Sequence, residues 1–153
     1  MERKNCNQDL SGWQGDIPVT NLYTVGIAGG EFFSALKERG KVLGTRCNKC
    51  DFTYVPARYF CERCFATLNE YVEILDEGII ETYTVCYVDV DNKPLKEPEI
   101  IAAIKLNGAS TILIHIIKAE PSKISVGKKV KAIFHPKVKR RGVITDIKYF
   151  VLS

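Results

Sequence analysis

Four cysteines in two C-x-x-C pairs constrain this chain more than any other feature of its 153 residues. The pairs are Cys47-Asn-Lys-Cys50 and Cys61-Glu-Arg-Cys64, and ten residues separate them. A C-x-x-C turn presents two thiolates to one point, and a short ribbon between two such turns brings the pairs together around a tetrahedral metal ion. Because four thiolates saturate zinc, we expect a structural site with no open position for water or substrate.

Two alternatives use the same cysteines. A rubredoxin-like iron site has the same ligands, but Asp51 and Phe65 stand where glycines usually follow a rubredoxin knuckle, which counts against electron transfer. Disulfides are disfavoured because the N-terminus lacks the apolar stretch of a secretory signal, so we expect a cytoplasmic protein. The spacer is shorter than the roughly 15 to 20 residues of the generic zinc pattern, although a tight hairpin can fit it. Cys6 is left over, and Cys86 is interpreted as a small core residue.

Downstream of the cysteines, apolar and polar residues alternate in five short segments typical of β-strands. The segments leave no room for crossover helices, so an antiparallel sheet has to close or stack to hide its edges. A five-stranded OB-fold barrel is the economical solution, because a sandwich usually has seven strands. We expect a turn with Asp91-Asn92, Pro94 and Pro98 after the first strand and a hairpin at Asn107-Gly108. The predicted strands are 79–90, 100–106, 111–117, 129–134 and 145–151.

The residues before the cysteines predict a helical segment. Residues 1–28 are polar and Gly-rich, and we expect an irregular arm there. A short amphipathic helix is predicted over 31–39, with Gly40 as its left-handed C-terminal cap. The chain is therefore expected to be mainly β with an N-terminal helical segment.

Sequence motifs for catalysis are absent. There is no G-x-S-x-G, no Walker loop, no G-x-G-x-x-G after a strand and no H-E-x-x-H. His115 and His135 are interpreted as packed or edge residues, not as general bases. The glycines of 26–30 are interpreted as a turn and cap, because no strand precedes them as in a phosphate-binding loop. We therefore expect a binding module and no enzyme, and no apolar run approaches the roughly 20 residues of a membrane span.

Charge is unevenly distributed along the chain, which has a net charge of +4. Residues 62–99 contain ten acidic and three basic residues, whereas 118–148 contain ten basic and two acidic ones. One end of the molecule should attract anions while the middle repels them. Because zinc ribbons and OB-folds both bind nucleic acids, a nucleic-acid-binding module is the alternative function. The acidic segment and a pI of about 8.7 count against it.

Several segments together resemble a known family. They are YTVGIAGGEFFSALKERGKVLGTRCNKC, YVPARYFCERC, the strand opened by Gly78, and SVGKKVKAIF, and they extend from about Tyr23 to Val151. In these segments the chain is similar to the acyl-CoA-associated zinc-ribbon/OB-fold proteins, formerly a domain family of unknown function. Asp51 stands where the family commonly has glycine, which affects the knuckle turn more than the ligands.

The resemblance implies a domain organisation. It comprises an N-terminal arm and helix (1–46), a rubredoxin-like zinc ribbon (47–70) and a five-stranded OB-fold barrel (71–153). The residues that carry over from the family are the zinc ligands Cys47, Cys50, Cys61 and Cys64.

The resemblance also implies a function. Such proteins are typically non-catalytic partners of thiolase-superfamily enzymes, and in archaea they join acetoacetyl-CoA thiolase to 3-hydroxy-3-methylglutaryl-CoA synthase in the mevalonate pathway. We therefore expect an acyl-CoA-binding scaffold subunit in lipid or isoprenoid precursor metabolism. Exposed aromatic side chains of the helix are candidate contacts for the acyl or pantetheine chain, and a basic run is the candidate for the phosphates, with ordinary packing and a solvated loop as alternatives. These candidates are Phe32, Phe33, Lys137, Lys139, Arg140 and Arg141.

Overall fold

A computed structural model describes residues 23–153 of the chain. Cys6 and the first 22 residues of the predicted arm lie outside the described residues. The described part contains one α-helix and eight β-strands. In chain order they are α1 (Gly26–Arg39), β1 (Val42–Cys47), β2 (Phe52–Tyr54), β3 (Glu70–Ile74), β4 (Glu77–Val88), β5 (Pro94–Leu106), β6 (Leu113–Ile117), β7 (Lys129–Phe134) and β8 (Ile147–Leu152).

Helix α1 begins five residues earlier than the sequence pattern predicts. It includes the glycines of 26–30, so their interpretation as a turn and cap is wrong. Ala28 and Phe32, four residues apart, are both buried, and this burial offsets the low helix propensity of glycine. The predicted cap is confirmed, because Gly40 has φ 63° and its N–H donates to the Leu36 carbonyl at 3.1 Å. Among the described residues no helix is long and apolar enough to cross a membrane.

The first sheet has three strands in the order β2-β1-β3, and both pairs are antiparallel. The central strand β1 ends at Cys47, which is the first residue of the first C-x-x-C turn. Gly44 in β1 allows a close approach of β2, because a Cβ atom there would lie 2.7 Å from the Tyr54 carbonyl oxygen. The sheet includes residues on both sides of the range 47–70, while the domain boundaries themselves stay a prediction.

The five remaining strands close into a barrel in the order β4-β5-β6-β8-β7. This confirms the prediction of a mainly β chain in which a ribbon is followed by a five-stranded barrel. The sheet is antiparallel except where β6 meets β8 through Ile117 and Phe150. Of the predicted turn, the part at Asp91-Asn92 is confirmed. The part at Pro94 and Pro98 is wrong, because β5 begins at Pro94 and an irregular register with β4 accommodates both prolines.

The loop between β5 and β6 ties the barrel to the first sheet. Asn107-Gly108 lies in a turn, as predicted, but β6 begins several residues later, so the connection is longer than a two-residue hairpin. In this loop Ser110 and Thr111 hydrogen-bond the backbone of Thr53 and Val55 at 2.8 to 3.1 Å. Residues more than 50 positions apart are thereby joined.

Two hydrophobic clusters fill the interior. The larger one, which we call the main core, combines residues of α1, the first sheet and the barrel, including Phe32, Ile104 and Phe150. The smaller one, the ribbon core, lies beside the cysteines. Its buried members are Cys47, Tyr54, Cys61 and Leu68.

Candidate metal centre

The structure brings the four predicted cysteines together. Their Sγ atoms all lie within 4.8 Å of one another. The Cys47 and Cys64 sulfurs are 3.6 Å apart, and those of Cys50 and Cys61 are 3.9 Å apart. Tetrahedral zinc with bonds of about 2.3 Å places its sulfur ligands about 3.8 Å apart. The cluster is therefore positioned to bind a tetrahedral metal ion.

Two backbone turns, or knuckles, set the positions of the thiolates. The first knuckle follows β1, and the second is closed by the Phe65 N–H, which donates to the Cys61 carbonyl at 2.8 Å. Asp51 and Phe65 follow the two pairs with φ of 48° and 57°, in the left-handed region that favours glycine. The Asp51 carboxylate forms an ion pair with Arg46 at 2.6 Å, which offsets part of the backbone cost at this position. Phe65 is 81% exposed and has no comparable contact within the described residues.

The pKa values of the cysteine thiols are shifted in opposite directions. Burial raises the pKa of Cys47, and hydrogen bonding with Cys64 together with burial raises that of Cys50 to about 12. The Tyr54 hydroxyl has the opposite effect on Cys61 and, despite burial, lowers its pKa to about 6. Binding of a divalent cation therefore displaces protons from the cluster, most of all from the cysteines whose pKa is raised.

Tyr54 is a residue of the centre that sequence reasoning missed. It is fully buried, and its hydroxyl lies 3.3 Å from the Cys61 sulfur. Burial and this hydrogen bond raise the pKa of Tyr54 to about 12, so the hydroxyl stays protonated and donates a hydrogen bond to the Cys61 thiolate. A sequence signal existed, since alternation in the short strand after the first C-x-x-C pair places Phe52 and Tyr54 on the face opposite Thr53. In the structure that face packs in the ribbon core.

The predicted aromatic contacts of α1 differ in exposure. Phe32 is completely buried in the main core, so the expectation that it is exposed is wrong. It shares one helix face with Ala28 and Leu36, four residues away on either side, and that face packs inward. Phe33 is half-buried, and its ring meets Phe32 edge to face at 5.2 Å.

The structure places the predicted basic run, residues 137–141, next to α1. Lys137 forms an ion pair with Glu38 of the helix at 3.5 Å, and the Arg140 Nε donates to the His135 carbonyl at 2.7 Å. Lys139 and Arg141 are exposed. Contact of any of these side chains with acyl-CoA stays a prediction.

The buried carboxylate of Asp146 fixes the backbone at the end of the basic run. It is 2% exposed, and its carboxylate accepts hydrogen bonds from the backbone N–H groups of residues 141–143 at 2.7 to 3.3 Å. Burial alone raises the pKa of Asp146, but these donors and the charge of Arg140 outweigh it and hold the pKa below its usual range. Sequence analysis did not single out this residue.

The two histidines and Cys86 lie apart from the cysteine cluster. His115 is half-buried in β6, where its Nδ1 accepts from the Ile116 N–H at 2.9 Å and its ring meets Phe150 edge to face. Burial lowers the pKa of His115, so it is neutral at pH 7. Cys86 is half-buried in β4, which places it in a strand but not in the main core.

Comparison with protein families covers both parts of the described chain. The family model for the ChsH2 rubredoxin-like zinc ribbon domain matches residues 34–70. The model for the ChsH2 C-terminal OB-fold domain matches residues 71–135. The two matches follow the order of the elements found in the structure.

Individual relatives agree with these matches. A DUF35 domain-containing scaffold protein of Methanocaldococcus jannaschii is 31% identical over 100 residues, which are 65% of this chain and 71% of that protein. A crystal structure of a DUF35-family protein of unknown function from Sulfolobus solfataricus is 37% identical, with a TM-score of 0.62, and the match covers 71% of this chain and 78% of that one. The Ltp2-ChsH2(DUF35) aldolase is similar in fold, with 21% identity, a TM-score of 0.56 and coverage of 80% and 90%.

Proposed function

Since the chain belongs to the DUF35 family, we propose that it is a non-catalytic scaffold subunit that holds a partner enzyme. The observation that carries the proposal is the cysteine cluster. Cys47, Cys50, Cys61 and Cys64 are the proposed ligands of one structural zinc, and four thiolates leave the ion no open position for substrate. A relative that is 31% identical bears the name of a scaffold protein, which supports the same role. A cytoplasmic location would keep the thiols reduced and ready for metal.

The proposed partner is a thiolase-superfamily enzyme. Support comes from the resemblance of the helix, ribbon and barrel segments to acyl-CoA-associated proteins of this type. The specific candidates are acetoacetyl-CoA thiolase and 3-hydroxy-3-methylglutaryl-CoA synthase, which would place the chain in the mevalonate pathway of isoprenoid precursor synthesis.

We further propose that acyl-CoA contacts the chain between α1 and the basic run. Phe33 is the aromatic side chain with exposed surface, whereas Phe32 only supports it from the main core. Lys139 and Arg141 are exposed and suited to the phosphates, while Lys137 and Arg140 already have partners in Glu38 and the His135 carbonyl. The ion pair between Lys137 and Glu38 supports the proposal because it brings the two predicted contact regions together.

The test combines binding with turnover. The full chain is tagged and mixed with the purified thiolase and synthase of its source organism, and condensation of acetyl-CoA is followed with and without the chain. We expect no activity of the chain alone, a stable complex with at least one enzyme, and acetyl-CoA or acetoacetyl-CoA binding that weakens in Lys139→Glu/Arg141→Glu. Absence of any complex with either enzyme contradicts the scaffold proposal, whereas a complex without acyl-CoA binding contradicts only the ligand.

Nucleic-acid binding is the second candidate, favoured by the ten basic residues of 118–148. The acidic residues of 62–99 oppose it, because four of the ten lie in the barrel strands β4 and β5. We expect weak binding to single-stranded RNA or DNA that falls steeply with salt. Submicromolar binding that survives about 200 mM salt would reverse the ranking of the two functions.

A further inference from the structure

The second knuckle of the ribbon displays three aromatic side chains on the surface. Tyr59, Phe60 and Phe65 are 41%, 55% and 81% exposed, and the Tyr59 and Phe60 rings pack edge to face at 4.7 Å. We propose that these three residues and Arg63, together named the aromatic knuckle, are the anchor by which the chain binds its partner enzyme. The inference rests on the proposed scaffold function and specifies the surface that serves it.

The backbone at Phe65 is the first argument. A bulky side chain at φ 57° carries a steric cost that glycine avoids, and an 81% exposed ring recovers little of it by burial. The first knuckle provides the contrast, because Asp51 at φ 48° has a short polar side chain that pairs with Arg46. Within the described residues Phe65 has no such contact, so we infer that its compensation lies on another molecule.

Rigidity is the second argument. The knuckle is a small hairpin in which the Leu68 N–H donates to the Tyr59 carbonyl at 2.8 Å and the Cys61 N–H donates to the Ala66 carbonyl at 2.9 Å. Phe60 and Thr67 form a further bridge across it. Aromatic side chains on a rigid turn lose little conformational entropy on binding, and Tyr and Arg are frequent in binding hot spots.

Charge identifies the kind of surface that fits. Arg58 pairs with Glu62, so neither charge is left for a partner. The Arg63 guanidinium lies over the Phe52 ring at 4.0 Å, and no described residue forms an ion pair with Arg63 or with Lys49 of the first knuckle. The partner surface is therefore an apolar pocket bordered by carboxylates. A protein is favoured over a nucleic acid, because two cations are too few to follow a phosphate backbone.

The test measures stability and partner binding on the same zinc-loaded full-length variants. Phe65→Gly relieves the backbone and removes the ring, Phe65→Tyr keeps the ring, and Tyr59→Ser/Phe60→Ser removes the neighbours. Tyr87→Ser, at a 62% exposed aromatic of β4, is the matched control. The probes are the purified thiolase and synthase of the source organism, with affinity measured by calorimetry and zinc content and melting temperature recorded for every variant.

We expect Phe65→Gly to melt at or above the wild-type temperature and to bind the enzyme at least about tenfold more weakly. Tyr59→Ser/Phe60→Ser should lose affinity similarly, and Phe65→Tyr and Tyr87→Ser should retain it. Unchanged affinity in both knuckle variants overturns the inference while the scaffold function stands. A lower melting temperature of Phe65→Gly also overturns it, because the ring then has a structural role in the free chain. Salt-resistant RNA binding that these variants abolish would assign the surface to nucleic acid, and failure of the wild type to bind either enzyme would remove the scaffold function itself.

Discussion

The main core and the ribbon core differ in what stabilises them. The main core contains 22 buried residues drawn from the helix, the first sheet and the barrel, whereas the ribbon core contains four, of which two are cysteines. Burial of one large apolar side chain contributes about 1.5 to 3 kcal/mol, so Tyr54 and Leu68 alone cannot hold the ribbon core against chain entropy. A structural zinc contributes on the order of 10 kcal/mol. Packing therefore stabilises the main core, whereas the ribbon core would depend on the proposed zinc.

Removal of the proposed zinc ligands is expected to have the largest effect, and the effect should be confined to the ribbon core. Cys47→Ser/Cys50→Ser is expected to lose the metal and about 10 kcal/mol of binding free energy, while the barrel keeps its secondary structure. Zinc content by atomic absorption, far-UV circular dichroism and amide NMR spectra report on the two regions separately. Cys61→Ser should behave alike, and Cys86→Ser is the control. Full zinc occupancy in the double variant would contradict the ligand assignment.

The main core is tested by Phe150→Ala. Phe150 is completely buried in β8, and truncation of such a side chain costs about 3 to 5 kcal/mol. Urea denaturation should show this loss in the barrel transition even with zinc bound, because metal coordination does not replace packing elsewhere. Ile114→Ala, at a 66% exposed position, should change the free energy of unfolding by less than about 0.5 kcal/mol. A loss below about 1 kcal/mol for Phe150→Ala would show that the barrel does not depend on this cluster.

Asp146 gives the barrel a pH dependence. Because the pKa of its carboxyl is held below the usual value, the charged form stabilises the folded chain above about pH 4, and this contribution is lost as the pH falls through the lowered pKa. Asp146→Asn is expected to cost about 2 kcal/mol at pH 7. In urea titrations from pH 7 to pH 3, the stability of the wild type should begin to approach that of the variant as the pH falls below about 4. Parallel curves over this range would mean that the carboxylate does not stabilise the basic run.

The smallest expected effect concerns the hydrogen bond between Tyr54 and Cys61 in the ribbon core. Tyr54→Phe removes the hydroxyl that donates to the Cys61 sulfur and keeps the buried ring. We expect zinc affinity to fall by about tenfold, as for other groups that hydrogen-bond metal ligands, with unchanged stability of the barrel. Competition with a chromogenic chelator measures the affinity. Wild-type affinity would show that the hydroxyl contributes packing only.

Sequence reasoning succeeds where the determining contacts are local. The spacing of Cys47, Cys50, Cys61 and Cys64 indicates the metal cluster because each knuckle is a short turn. Alternation of apolar residues predicts the five barrel strands, with β7 over 129–134 found at the predicted bounds.

Other features depend on distant partners. The early start of α1 follows from packing on the main core, which the glycines of 26–30 do not indicate. The burial of Phe32 agrees with ordinary packing, the alternative that sequence analysis gives to a ligand contact. The role of Tyr54 arises from one contact with Cys61, and that of Asp146 from the N–H groups of residues 141–143 in the preceding turn. Both depend on loop conformations that a periodic pattern does not predict. The prolines of β5 favour a turn in sequence analysis, because the register irregularity that accommodates them depends on the neighbouring strand β4.

The hydrogen bonds of Ser110 and Thr111 to the backbone of Thr53 and Val55 have a mechanical consequence. The chain passes from the first sheet to the barrel between β3 and β4, and one such passage would act as a swivel. The loop provides a second attachment, and a body fixed at two points resists torsion about either. A force applied at the cysteine cluster is therefore transmitted to the barrel through both connections. The zinc-ligand end of the first sheet is therefore held in one orientation relative to the barrel by two separate parts of the chain.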